Sequence, residues 1–241
     1  MKINELFLSC QGEGLSVGLP FVFVRFQGCN LNPGCSWCDT KYAQKDGGEE
    51  ATLAQLLVRI DEVKKGVRCT SVCITGGEPL YQASEVYELV RALRVRSFHV
   101  YRIEVFTNGT LELPRWYKQV RWCVDVKCPS SKTNIDIGRY TNWFRSLRYG
   151  DSIKFVVADE EDLKYCVKAV KYMRDKMPLS ETQRFVSPAI CGDVVPSNVL
   201  TLVAAQAQQK WLQRVWEFCV QNDLRFSLQN HKVVFGNRKG V

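Results

Sequence analysis

Histidine is almost absent from this chain of 241 residues: His99 and His231 are its only two. A metal site built mainly on imidazole is thereby excluded. No apolar run approaches the ~18–20 residues that span a bilayer, so no membrane partner is expected. Met1-Lys2-Ile3-Asn4-Glu5 carries an early acid and no long apolar stretch, unlike a signal peptide, and the expected location is the cytoplasm. Linker-like, repetitive and low-complexity segments are missing as well, so residues 1–241 are expected to form one domain. The net charge of +8 is spread along the chain, and no basic run interleaves with aromatics. Direct nucleic-acid binding is therefore not expected. The charge suits solubility and attraction for an anionic small molecule or an acidic electron donor.

What the chain has in plenty is cysteine, eleven in all. A secreted mini-protein with that many would be a disulfide scaffold, but here a hydrophobic fraction of 46% supplies an ordinary core. The cysteines fall into two kinds. Cys69, Cys73, Cys123, Cys166 and Cys219 sit inside apolar periodic segments and read as small hydrophobes. Cys29, Cys35 and Cys38 crowd into the loop Gly28-Cys29-Asn30-Leu31-Asn32-Pro33-Gly34-Cys35-Ser36-Trp37-Cys38-Asp39-Thr40, rich in turn residues.

Strand-like and helix-like runs alternate along the chain, predicting an α/β fold with a mainly parallel sheet. Phe21 to Phe26 is rich in β-formers. Thr52 with Gln55 forms a capping box ahead of a helix that puts Leu53, Leu56, Leu57, Ile60 and Val63 on one face. Further strands are expected at Thr70–Thr75, Tyr101–Phe106, Trp122–Val126, Ile153–Val157, Arg184–Val186 and Leu224–Leu228. Val86, Leu89, Val90 and Leu93 mark a second helix. Asp159 opens a third, with Cys166, Val170, Met173 and Met177 on one stripe. Leu200 to Val220 reads as a fourth, with Leu212, Val215, Trp216 and Cys219 inward, before a polar, glycine-containing tail.

The cysteine loop follows directly on the strand Phe21–Phe26, and strand carboxyl ends are where parallel α/β folds collect ligands. Three thiolates within ten residues can reach one metal centre. A structural zinc site closes with four ligands, and no fourth lies nearby: no second Cys-x-x-Cys occurs. A [4Fe-4S] cluster held by three cysteines leaves one iron open to a substrate or cofactor. The spacing by itself leaves both zinc and a cluster standing.

The loop ending in Ser36-Trp37-Cys38-Asp39-Thr40, with Thr75-Gly76-Gly77-Glu78-Pro79 downstream, resembles radical S-adenosylmethionine (radical SAM) enzymes. More closely, the chain resembles the 7-carboxy-7-deazaguanine synthase family. That resemblance rests on Ser9-Cys10-Gln11-Gly12-Glu13-Gly14, Arg25, Gln27-Gly28-Cys29-Asn30-Leu31, Thr107-Asn108-Gly109-Thr110, Lys127-Cys128-Pro129-Ser130-Ser131 and Leu228-Gln229-Asn230-His231-Lys232. One departure stands out: five residues separate Cys29 from Cys35 where the family usually has three, because Asn32-Pro33-Gly34 replaces a single residue.

The resemblance implies a partial, laterally open (β/α)6 TIM-like barrel with some helices trimmed. It implies a [4Fe-4S] cluster on Cys29, Cys35 and Cys38, with S-adenosylmethionine on its open iron and against Trp37, Cys38, Asp39, Gly77, Asp125, Val126 and Lys127. The implied reaction converts 6-carboxy-5,6,7,8-tetrahydropterin to 7-carboxy-7-deazaguanine with loss of ammonia, on the route to queuosine or archaeosine. A 5′-deoxyadenosyl radical removes hydrogen from the ring carbon bearing the carboxylate, and S-adenosylmethionine is regenerated. Substrate contacts are implied for Cys10, Gln11, Gly12, Glu13, Arg25, Thr75 and His231, and Mg²⁺ binding for Thr40. Arg25 suits a carboxylate because its planar fork pairs in bidentate fashion. A hard cation on Thr40 would need further oxygen ligands from the substrate. Implied partners are a flavodoxin or ferredoxin as electron donor and a second copy in a homodimer. Two other readings compete: a radical SAM activase that makes a glycyl radical in another protein, and a zinc-bound interaction module.

Overall fold

A computed structural model describes every residue except 46, 65, 96–101, 176–181, 191–198, 237 and 241, and leaves the side chains of 199–204 aside. Strands form where β-branched and aromatic residues run together. They are β1 (Lys2–Cys10), β2 (Pro20–Phe26), β3 (Glu49–Glu50), β4 (Ser71–Gly76), β5 (Arg102–Thr107), β6 (Arg121–Val126), β7 (Ser152–Val157), β8 (Gln183–Pro188) and β9 (Arg225–Phe226). They join one sheet in the order β3-β1-β2-β4-β5-β6-β7-β8-β9. From β2 to β9 every pairing is parallel, whereas β1 runs antiparallel to β2 and β3 antiparallel to β1. The two edge strands, β3 and β9, do not pair with each other, so the barrel stays open.

Among the described residues, six helices accompany the sheet: α1 (Leu53–Lys64), α2 (Ala83–Val95), α3 (Thr141–Ser146), α4 (Glu160–Arg174), α5 (Val199–Asn222) and α6 (Asn230–Phe235). The capping box that opens α1 forms as expected: Thr52 N–H donates to Gln55 Oε1 at 2.8 Å, and Gln55 N–H returns to Thr52 Oγ1 at 3.2 Å. Asp159 caps α4 by accepting from Asp162 N–H. The trimming falls between β5 and β6, where a single 3-10 turn at Tyr117–Gln119 replaces the helix.

The core lies between the sheet and these helices. Leu56 and Ile60 of α1, the Val86-Leu89-Val90-Leu93 stripe of α2, and Cys166 and Met173 of α4 are buried in it. Trp122 and Trp143 meet edge to face, 5.0 Å between centroids, under the helix-poor side. Fully burying one such side chain contributes about 1.5–3 kcal/mol. Cys69, Cys73, Cys123, Cys166 and Cys219 are all buried.

Several expectations change: α3 is a helix that none of the expected runs covered, and β9 keeps only Arg225–Phe226 of the expected Leu224–Leu228. β1 and β3 extend the sheet beyond the expected strands, and α6 occupies part of the expected tail. On α5, Val215, Phe218 and Cys219 turn inward, but Trp216 is 57% exposed. A residue 100° round the helix from Val215 falls off the buried stripe, and Trp216 instead lies edge-on against Phe226. Tyr101 and Met177 lie outside the described residues. No helix among the described residues is long and apolar enough to cross a membrane.

Candidate active site at the carboxyl ends of the strands

The parallel register carries Arg25 beside Thr75 and Phe26 beside Gly76, so β2 and β4 end side by side and the cysteine loop leaves from that point. A cavity of about 320 Å³ opens there. Its lining includes Cys29, Cys35, Trp37, Cys38, Asp39 and Thr40 from the loop, and Cys10, Gln11, Gly12 and Glu13 from the end of β1. Arg25, Thr75, Gly77, Asp125, Lys127 and His231 complete the expected set. Val126 is the exception: its side chain is fully buried in the core, because neighbours on a strand face opposite sides.

The loop is fastened at both ends. Gly28 N–H donates to Ala43 O at 2.8 Å and Cys29 N–H to Gln44 O at 3.2 Å. The longer Cys29–Cys35 interval folds back on this same turn, where Gly34 packs against the end of the Gln44 side chain, which would have to move aside for a Cβ. Beyond Cys29, Asn30 donates to Thr110 Oγ1 at 2.8 Å and accepts from Asn108 Nδ2 at 3.0 Å. The buried Glu78 carboxylate locks this corner by accepting from Leu80 N–H, Thr107 Oγ1–H and Asn108 N–H. Burial raises its pKa in spite of those donors. At the other end, Ser36 N–H donates to Ser131 O, and Trp37 Nε1–H to Ser130 Oγ at 3.1 Å. Ser130 in turn donates to the Asp162 carboxylate of α4.

The Gly76-Gly77 pair has a packing role as well. A Cβ on Gly77 would collide with the carbonyls of Gly28 and Ala43. Gly77 N–H donates to Phe26 O and Glu78 N–H to Gly28 O, so these two amides are engaged within the protein. Without a side chain, Gly77 lets the loop's own backbone close in.

Charge alternates across the cavity floor. Lys127 Nζ lies 5.1 Å from the Trp37 ring centroid and 2.8 Å from Asp125 Oδ2. Asp125 is 3.9 Å from Lys154 Nζ, which is 2.6 Å from Glu13 Oε2. Burial would raise the Glu13 pKa, but Lys154 and then His231 pull it down to about 2. Burial would lower the lysines, and the facing carboxylates reverse this: Asp125 for Lys127, Glu13 and then Asp125 for Lys154. Both lysines are therefore charged.

On the β1–β2 side, Arg25 Nε donates to Glu5 Oε2 at 2.6 Å, and Tyr42 O–H donates to the same oxygen at 3.0 Å. Burial, then the nearby Glu5, brings the Tyr42 phenol to about 12 against the pull of Arg25. The Arg25 Nη groups make no hydrogen bond among the described residues. His231, at the start of α6, packs directly on Gly12, where a Cβ would lie 2.7 Å from its Nδ1. Lys232 pairs with Asp39 at 3.2 Å, and Lys239 stands 3.9 Å over the Tyr42 ring. The tail thus borders the cavity through Gly236, Arg238, Lys239 and Gly240; Val241 lies outside the described residues.

The sequence reading missed Glu5, Tyr42, Lys154 and the tail cations. Lys154 carried a legible signal: a charge inside β7, where every residue is buried, must find a partner. Glu5 and Tyr42 carried none.

The chain matches the Radical SAM superfamily over residues 23–148. The 7-carboxy-7-deazaguanine synthase of Methanospirillum hungatei is 40% identical over 97% of this chain and 85% of its own. That of Clostridium acetobutylicum is 32% identical over 100% of this chain and 99% of its own. The chain belongs to the 7-carboxy-7-deazaguanine synthase family of radical SAM proteins. The crystal structure of QueE from Escherichia coli shares its fold, with a TM-score of 0.64 at 22% identity over 94% of this chain and 92% of that one. A radical SAM methyltransferase from Sphaerobacter thermophilus superposes with a TM-score of 0.57 at 16% identity, over 92% of this chain and 71% of that one.

Membership in the radical SAM family implies a [4Fe-4S] cluster and S-adenosylmethionine, and the donor set here suits them. Cys29, Cys35 and Cys38 are free thiols on one cavity wall, and burial raises the Cys29 and Cys35 thiols above their usual range. Among the described residues, no three His, Cys, Asp or Glu side chains gather tightly enough for a single metal ion. Among the described residues, one buried polar atom of the lining, Asp125 Oδ1, lacks a protein partner. Buried polar groups normally find partners, and a polar ligand would supply them here.

Proposed function

We propose that this chain is a radical SAM lyase that converts 6-carboxy-5,6,7,8-tetrahydropterin to 7-carboxy-7-deazaguanine with loss of ammonia; the names of its relatives give the product, and the family resemblance gives the substrate and the leaving group. The observation that carries the reading is one cavity shared by three cysteines, a carboxylate-reading Arg25 and the buried Glu13–Lys154 pair. A cluster wall alone would fit any radical SAM enzyme; the second wall suits an anionic heterocycle.

In this reading Cys29, Cys35 and Cys38 hold the cluster. S-adenosylmethionine lies against Trp37, Cys38, Asp39, Gly77, Asp125 and Lys127, with Val126 contributing through its main chain. When bound, the cluster and S-adenosylmethionine supply one-electron cleavage of the sulfonium and so a carbon-centred radical. The rest is positioning. Arg25, held by Glu5, turns its remaining N–H groups to the substrate carboxylate. Gln11, Gly12 and Glu13 read the ring edge, Thr75 and His231 close on it, and Cys10 stands at the rim. Thr40 would offer its hydroxyl to Mg²⁺, which would need further oxygen ligands from the substrate. Single-domain organisation is supported by one sheet running from β1 to β9. A homodimer and a flavodoxin or ferredoxin donor follow from the resemblance.

The test is anaerobic turnover of the reconstituted, reduced protein. The deazaguanine is expected only when S-adenosylmethionine is present. Cofactor cleavage without that product would overturn the substrate assignment.

A further inference from the structure

Lys154 belongs to no recognised motif of the chain, yet it lies at the centre of the cavity floor. It projects from β7, a strand buried at every position. Its Nζ is 2.6 Å from Glu13 Oε2 and 3.9 Å from Asp125 Oδ2, while Lys127 neutralises Asp125 from the other side at 2.8 Å. Each buried charge thus has an opposite neighbour. Such pairs give a fold little net stability, because desolvation offsets their attraction. What this pair does supply is a fixed charge state at the cavity wall.

We propose that Lys154 is a positioning residue that holds Glu13 as an acceptor-only carboxylate, making the site select ligands with two adjacent N–H donors. This rests on the pterin reading above. A carboxylate accepts hydrogen bonds and donates none, whereas a protonated carboxyl group or a glutamine amide also donates. A 2-amino-4-oxo pyrimidine ring presents a ring N–H and an amino group side by side, which an ionised Glu13 can accept together. A 2,4-dioxo ring puts a carbonyl where the amino group was, and that oxygen faces the carboxylate with no hydrogen between them. The depressed Glu13 pKa, about 2, accords with this geometry.

The experiment measures anaerobic binding of 6-carboxytetrahydropterin and its 2,4-dioxo counterpart to the reconstituted holoenzyme. The proteins are wild type, Lys154→Met, Lys154→Arg, Glu13→Gln and the Lys154→Met/Glu13→Gln double variant. Cluster content and S-adenosylmethionine binding serve as folding controls. Lys154→Met should weaken the 2-amino ligand about 10-fold or more, the scale of a lost charged hydrogen bond, and leave the dioxo ligand nearly unchanged. Lys154→Arg should restore most of the preference, and the double variant should bind no worse than Glu13→Gln.

Unchanged preference in Lys154→Met, equal weakening of both ligands, or a full Lys154→Met effect in the Glu13→Gln background would each overturn the proposal. Wild type that binds neither ligand would refute the pterin reading. The Glu13 charge is then read from the infrared band of a protonated carboxyl group. That band should appear in Lys154→Met and be missing from wild type and the double variant; its absence from Lys154→Met would overturn the proposal. Lys154→Gln serves the same measurements where the methionine variant does not fold.

Discussion

A single methyl group at Gly77 should disable the cofactor wall while leaving the fold standing. The Cβ of Gly77→Ala would lie 2.6 Å from Ala43 O and closer still to Gly28 O. That is about 0.8 Å inside ordinary contact with main-chain atoms that cannot rotate aside. Gly28 precedes Cys29 and accepts from Glu78 N–H at 2.8 Å, so relief must move either the base of the cysteine loop or the 77–78 turn. Overpacking of this kind costs about 1–3 kcal/mol. In a chain of this size it should lower Tm by roughly 2–12 °C. Displacing a reacting group by about 1 Å costs about 100-fold in rate. The assay compares thermal unfolding, iron content and S-adenosylmethionine cleavage per cluster in variant and wild type. The expected variant is folded and iron-loaded but cleaves about two orders of magnitude more slowly. A wild-type cleavage rate, or a loss fully explained by unfolding, would refute the packing argument.

Further predictions concern charge and cysteine chemistry. Glu13 has a folded-state pKa depressed from 4.5 to about 2. Its stabilisation is therefore complete above pH 4.5 and lost as pH falls toward 2, at most about 3 kcal/mol. Urea unfolding of wild type and Glu13→Gln across that range should show the difference shrinking with acid, on top of a constant offset from the stranded Lys154; a difference independent of pH would contradict the assignment. Cys35→Ala should abolish bound iron and sulfide in equal measure, whereas Cys166→Ala, in the core, should keep both; equal loss would mean the two kinds of cysteine were sorted wrongly. Glu5→Gln should loosen Arg25 and raise KM for the carboxylated pterin with less change in kcat, read by steady-state kinetics; an unchanged KM would remove Glu5 from the carboxylate site.

How much of this was legible in the sequence depended on whether a residue's role was local. Strands such as Phe21–Phe26 and helices such as α2 follow from apolar periodicity, and the capping box at Thr52 announced α1. β1 escaped because none of its positions but Ile3 is fully buried, so its alternation is blurred. β9 shrank to two residues because only Phe185 and Val186 offer it partners. Trp216 was misplaced because periodicity defines a face, while the width of the buried stripe is set by what packs against it. The cysteine loop and the Gly-Gly-Glu turn were legible as motifs, but not the reason for Gly77, which lies in the backbone of Gly28 and Ala43. Glu5 and Tyr42 act on Arg25 through long-range contacts that no local pattern encodes.

The central claim is that radical chemistry begun at the cysteine wall acts on the carbon held by the Arg25 wall of the same cavity. The most direct measurement is anaerobic turnover of substrate deuterated at the ring carbon bearing the carboxylate, with mass analysis of both product and recovered S-adenosylmethionine. Deuterium in the recovered S-adenosylmethionine, alongside 7-carboxy-7-deazaguanine, is the predicted result. Product formed with the label passing to solvent and none entering S-adenosylmethionine would contradict the account.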